Sequence, residues 1–173
     1  DLGVRLWLAW SAAGLHLAAA VADEQHLQQQ RGDRIWMGDS LQIAFDSLNN
    51  ALSSRLSGSP GYDRDDANLA LALTSQGPQG YVFVERGASD GNSLRDFPLA
   101  IVRRDAATLY EAILPWELLA PLAARAGAAF GFSFVAFDTD LETERQAPYF
   151  LALTPGIANG QDPSAYRTFV LSR

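Results

Sequence analysis

A chain of 173 residues, 48% of them hydrophobic, has the length and apolar content of one domain with a real core. Its formal net charge of -7, from 13 basic and 20 acidic residues, argues against a phosphate-backbone binder, which needs clustered cations. The absence of cysteine excludes disulfides, thiolate metal sites and cysteine nucleophiles. No apolar run reaches the ~18–20 residues that a membrane-spanning helix needs.

Along the chain, apolar and polar residues alternate with a period of two, the signature of half-buried strands. Val4, Leu6, Leu8 and Trp10 alternate with Arg5, Trp7 and Ala9. Leu15, Leu17, Ala19 and Val21 follow with the same period, and Leu41, Ile43 and Phe45 repeat it. Further strands are expected over 68–74, 81–85, 99–103, 108–114, 130–136 and 169–171. Turns are expected at Ala13-Gly14, at 58–61, at 76–80 and at 90–92, where Gly, Pro and Asn gather. One short helix is expected over 115–126, with Pro115 at its first position. Many short strands with turn signals between them predict an all-β fold, an antiparallel β-sandwich of the immunoglobulin or jelly-roll kind.

The strand faces opposite the expected core carry Ala9, Ala18, Ala20, Ala44, Ala70 and Ala72. If those strands are neighbours, the alanines form a shallow, weakly apolar surface. It is either a ligand groove or a face covered by a partner.

Residues 61–68, Gly-Tyr-Asp-Arg-Asp-Asp-Ala-Asn, concentrate carboxylates in a turn. Calcium takes ~6–8 oxygens from carboxylates, carbonyls and waters, so such turns are natural sites, although most acidic turns are simply solvated. Asp63, Asp65 and Asp66 are the candidate ligands, with Asp46 and Asn49 from the end of the preceding strand. Asp138 and Asp140 form a second candidate. The EF-hand spacing is absent, as are HExxH, GxSxG and a P-loop. A glycosidase needs two carboxylates about 5–9.5 Å apart, for which Glu85 and Glu111 are one conceivable pair. His16 and His26, the only histidines, have no triad context.

Four stretches in order resemble the family 9 carbohydrate-binding modules. They are Val4 to Trp10 with Gly14-Leu15-His16-Leu17 and Val21-Ala22-Asp23; Ile35-Trp36-Met37-Gly38-Asp39-Ser40-Leu41-Gln42 through Asp46; Tyr110-Glu111-Ala112 through Trp116 with Phe130-Gly131-Phe132 and Asp138-Thr139-Asp140; and Asp162-Pro163-Ser164-Ala165-Tyr166. The resemblance covers nearly the whole chain. It implies a single CBM9-like domain over residues 1–173, without the strand segment with which the family usually starts, and cut from a larger protein. It further implies a non-catalytic carbohydrate-binding β-sandwich with structural calcium. The setting it implies is an accessory module of a secreted xylanase, another polysaccharide-degrading enzyme or a cell-surface protein. Its partners are then a polysaccharide or oligosaccharide and the parent's other domains, and its place is extracellular, periplasmic or on the outer cell surface.

The family clamps a terminal sugar between two tryptophans, and Trp36 matches the first of them. Gln42 matches a polar, hydroxyl-binding position. The second clamp ring is missing from Asn159-Gly160-Gln161, and Ala70 and Ala72 stand where polar sugar ligands are expected. Tyr149 or Tyr62 is a conceivable substitute ring. Two alternatives follow from these departures. One is an interaction or docking domain with a decayed sugar site. The other is a b-type haem-binding domain of the wider DOMON-like group, with Met37 and His16 or His26 on the iron.

Overall fold

The computed structural model describes residues 2–51, 61–85, 93–140, 149–158 and 160–173. The described strands are β1 (Gly3–Ser11), β2 (Gly14–Ala22), β3 (Ser40–Asp46), β4 (Asp66–Thr74), β5 (Gly77–Glu85), β6 (Ser93–Leu94), β7 (Leu99–Arg104), β8 (Ala107–Leu114), β9 (Ala129–Asp138), β10 (Tyr149–Ala152) and β11 (Arg167–Val170). They form two antiparallel sheets. One has the order β1-β2-β8-β7 and the other the order β10-β9-β3-β4-β5-β6, with β11 also paired to β9.

Alternation decides which side chains go inward. Leu15, Leu17, Ala19, Tyr110, Ala112 and Leu114 from the four-stranded sheet meet Leu41, Ile43, Phe45, Leu69, Leu71, Phe130 and Phe132 from the larger one. The centre is aromatic: the Phe45 ring lies 5.1 Å from Phe132, and Phe169 meets Phe132 edge-on at 5.5 Å. Such tilted pairs suit the ring quadrupole and add to plain area burial. Gly14 closes the β1–β2 turn at φ 156, and a Cβ there would lie 2.3 Å from the Leu114 carbonyl oxygen, so only glycine fits.

The larger sheet is covered on its outer face too. Residues Gly32–Met37 form a short 3₁₀ helix that lays Ile35 on Ala70 and Ala72. Ile157 and Tyr166 pack on Ala44, Val135 and Phe137. The alanines expected to share one surface therefore divide between two. Ala9, Ala18 and Ala20 lie on the outer face of the four-stranded sheet, whereas Ala44, Ala70 and Ala72 are fully buried under the covering segments. Their small side chains allow the second layer to approach the sheet closely.

Three other expectations change. No helix forms over 115–126. The segment is a run of turns with i→i+3 bonds, Leu118 N to Pro115 O at 3.0 Å and Leu119 N to Trp116 O at 3.1 Å. Pro121 has no N–H to donate to a helical carbonyl, so an α-helix fails here, while Leu118, Leu119 and Leu122 still cap the core. The expected turn at 76–80 is shorter than its composition implies, because β5 already begins at Gly77. The turns at 58–61 and 90–92 lie mostly or wholly outside the described residues.

Candidate functional site

Between the two covering segments the outer face of the larger sheet stays open. On β3, Gln42 is the one residue not buried. It forms part of the floor of a groove of about 350 Å³, within the range of small-ligand sites. Trp36, Phe137 and Phe150 line it, as do Tyr62, Asn68 and Gln161.

Trp36 reaches the groove because the loop that carries it is locked from behind. Gln28 donates through its amide to the carbonyls of Ile35 at 2.8 Å and Asp39 at 3.0 Å. A Cβ on Gly38 would meet Gln28 Oε1 at 2.6 Å, so the glycine makes room for this buried amide. Asp39 accepts from Leu27 N and Thr139 N, each at 2.8 Å, and Ser40 Oγ donates to Gly38 O at 3.0 Å. The Gly-Asp-Ser stretch thus serves to present Trp36, whose ring is 39% exposed.

The rings form a row. Trp36 lies 6.2 Å from Phe137, tilted by 60°, and Phe137 lies 6.2 Å from Phe150. Phe150 is 43% exposed. It stands opposite Phe137 in the β9–β10 register, so it faces the groove while its neighbour Tyr149 points the other way. Of the two candidate replacement rings, Tyr62 therefore lines the groove and Tyr149 does not.

The floor is polar and ordered. Gln42 Nε2 donates to Asn68 Oδ1 at 2.7 Å, Asn68 Nδ2 donates to the Tyr62 hydroxyl, and that hydroxyl lies 3.4 Å from Tyr166 Oη. Burial raises the Tyr62 and Tyr166 pKa values, so both stay neutral donors. Gln42 makes no other bond among the described residues, which leaves its carbonyl oxygen and second N–H for a ligand. The sequence reading missed Asn68, Phe137, Phe150 and Gln161. Asn68 had a usable signal, since it alternates outward with Ala70 and Ala72.

The expected metal residues lie where β3 ends and β4 begins. Asp46 and Asp66 are register partners at the ends of β3 and β4, and carboxylate oxygens of Asp46, Asp65 and Asp66 lie within 4.8 Å of one another. All three are buried. Burial, then a hydrogen bond with Asp63, pushes Asp65 up to about 6. Burial, then the charges of Asp63 and Asp46, pushes Asp66 up to about 7. Asp66 Oδ1 is sealed from solvent without a hydrogen-bond partner among the described residues, a costly state for a carboxylate and one that a calcium ion would relieve. Asp63 is exposed and stands outside this triad. Its backbone N–H donates to Asp66 Oδ2 at 2.6 Å and its side chain accepts from Asp65 N at 3.2 Å. Asn49 turns away to Thr168, at 3.0 Å.

Other candidate constellations are not assembled. Glu85 and Glu111 stand on the outer faces of opposite sheets, Glu85 paired with Arg95. His16 bonds Ser11 Oγ at 2.8 Å on the four-stranded sheet, whereas Met37 lies over the other sheet. His26 Nε2 bonds Leu73 O at 2.9 Å and its Nδ1 is buried 3.4 Å from Asp39 Oδ2, so both nitrogens face protein oxygens.

The family model for carbohydrate family 9 binding domain-like proteins matches residues 3–173. The chain belongs to this family. Carbohydrate family 9 binding domains are non-catalytic, and carbohydrate binding is the activity that membership assigns. Among solved structures, the chain superposes on a family 9 module from Caldicellulosiruptor kristjanssonii in complex with glucose with a TM-score of 0.70 at 16% identity, covering 100% of this chain and 78% of that one. The cellotriose complex of a family 9 module from the same organism gives a TM-score of 0.70 at 16% identity, covering 99% and 76%. A Bacteroides uniformis protein matches with a TM-score of 0.63 at 11% identity, covering 99% of this chain and 79% of that one. No match was found among curated proteins. Among the described residues no helix is long and apolar enough to cross a membrane.

Proposed function

We propose that this family 9 domain holds an uncharged glycan in the groove between its two covering segments, with the sugar's C–H face on Trp36. The observation that carries this reading is the convergence of Trp36, Gln42 and Asn68 on one open groove. A pyranose has an apolar face that packs on an aromatic ring and a rim of hydroxyls that bond amides. Gln42 and Gln161 bond those hydroxyls, and Phe137 and Phe150 continue the apolar wall where the family's second tryptophan is missing. The described residues that line the groove carry no formal charge, which favours a neutral glucan or xylan over a uronic acid. The sugars held by the Caldicellulosiruptor modules, glucose and cellotriose, agree with this class.

Calcium is the fitting ion for Asp46, Asp65 and Asp66, where it would supply the positive charge that three buried carboxylates lack. It would also hold the turn that presents Tyr62 to the groove. The domain then serves as an extracytoplasmic accessory module, which keeps a polysaccharide-degrading or cell-surface parent protein on its substrate.

The test is titration calorimetry with cello- and xylo-oligosaccharides in calcium, beside Trp36→Ala. Binding that this variant loses supports the reading. A wild-type domain that binds none of these sugars would overturn the groove assignment.

A further inference from the structure

The polar floor of the groove has a direction. Gln42 and Asn68 are diagonal neighbours on the outer face of β3 and β4, and their direct register partners, Ala70 and Ala44, are too small to come between them. Gln42 Nε2 donates to Asn68 Oδ1 at 2.7 Å, and Asn68 Nδ2 donates in turn to the Tyr62 hydroxyl. The Tyr62 oxygen is thus already an acceptor. Its own proton goes to Tyr166 Oη, 3.4 Å away. Donation therefore runs one way, from Gln42 through Asn68 and Tyr62 to Tyr166. In such a chain each group that donates becomes a better acceptor on its other side.

The far end of the chain is closed. Asn68 and Tyr166 are buried, and Tyr166 packs among Ala44, Val135, Phe137 and Ile157. The near end is open. Gln42 is half-buried and lines the groove, and among the described residues its carbonyl oxygen has no partner. With one N–H committed to Asn68, the amide is anchored by its nitrogen, and its oxygen is the polarised end left for a ligand.

From this geometry we infer that Gln42 reads the ligand as a hydrogen-bond acceptor, and that the groove takes a glycan whose hydroxyl over Gln42 is free, not esterified or etherified. Asn68, Tyr62 and Tyr166 are positioning residues that fix Gln42 in this role. The inference rests on the reading of the groove as a sugar site and adds which substitution pattern that site accepts. A hydroxyl can give its proton to Gln42, whereas an acyl or alkyl ether oxygen has none to give and leaves the amide oxygen unpaired. Sites built to bond a hydroxyl reject analogues that lack it more strongly than apolar contacts can.

The test is calorimetric titration of the domain with cellobiose and xylobiose, each beside analogues in which fluorine replaces one hydroxyl at a time. Fluorine is close to a hydroxyl in size but has no proton to donate. In the wild type, fluorine at one position should weaken binding about tenfold, the loss of one good hydrogen bond. Tyr62→Phe removes the acceptor that orients Asn68 and should bring that ratio towards one. Tyr166→Phe, which lies outside the groove lining, should lower it in the same direction. Gln42→Glu is still an acceptor and should keep it. Tyrosines with a merely structural role would weaken sugar and fluorinated analogue alike and leave the ratio unmoved. A wild type that binds the parent sugars with no fluorine-sensitive position overturns this inference and leaves the sugar groove standing. So does an unchanged ratio in folded Tyr62→Phe or Tyr166→Phe, or a lost ratio in Gln42→Glu. A wild type that binds neither parent sugar overturns both readings.

Discussion

At the residue scale, Trp36 and Gln42 differ in what they risk. The Trp36 ring is partly exposed and its loop is held by Gln28 and Asp39, not by the ring itself. Trp36→Ala should therefore weaken oligosaccharide binding by about tenfold or more, roughly 1.4 kcal/mol. Thermal unfolding should move little, as for most exposed substitutions. A large drop in melting temperature would instead make the ring a part of the fold. Asn68 is buried between Gln42 and Tyr62. Asn68→Ala should cost about 1–3 kcal/mol of stability, because it strands partners on both sides. Gln42→Ala should act mainly on sugar affinity, and chemical denaturation beside calorimetry separates the two outcomes.

At the scale of elements, β3, β4 and β9 are the strands on which the molecule depends. They are buried on both faces, inward in the core and outward beneath the 3₁₀ helix and the Ile157–Tyr166 layer. Phe132 packs on Phe45, Phe134 and Phe169 at once. Phe132→Ala should cost about 3–5 kcal/mol in denaturant unfolding, as large core truncations do. The acidic ends of β3 and β4 pull the other way. Burial pushes Asp65 up to about 6 and Asp66 up to about 7 in the folded, metal-free protein, above the ordinary aspartate value of about 3.9. The folded state then holds more protons than the unfolded one, so metal-free stability should fall as pH rises from about 4 through about 7. Thermal scans in chelator at pH 4.5 and pH 8 check the sign, and Asp66→Asn should flatten the slope by removing the largest contributor.

At the scale of the whole molecule, a bound metal would be linked to folding. An ion that binds the folded state at 100 times its Kd adds about 2.7 kcal/mol. For a chain of this length, that raises the melting temperature by roughly 5–10 °C. Calcium should produce this shift and a chelator should reverse it; unchanged melting curves would remove calcium from the Asp46–Asp65–Asp66 cluster. The two sheets also differ in kind. The central strands of the larger are covered on both faces except at the groove, while the smaller presents Trp7, 56% exposed, and Val102, 52% exposed, outward.

Much of this was legible in the order of the residues. Alternation is a local property, so it located nine of the strands and their inward faces, and the motif around Trp36, Asp39 and Gln42 marked one wall and the floor of the groove. The acidic turn placed Asp65 and Asp66 next to each other in sequence, and the structure adds Asp46 to them within 4.8 Å. What the tertiary structure alone decided is convergence. Phe137 and Phe150 join Trp36 only because β9 lies between β3 and β10, and Asn68 meets Gln42 only through the β3–β4 register. The alanines read as one surface separated for the same reason, since sequence spacing says which face of a strand a residue takes but not which sheet the strand joins. The 115–126 segment shows the limit at short range: its apolar pattern suits a helix, but a proline without an N–H and a core that needed capping made it a run of turns instead.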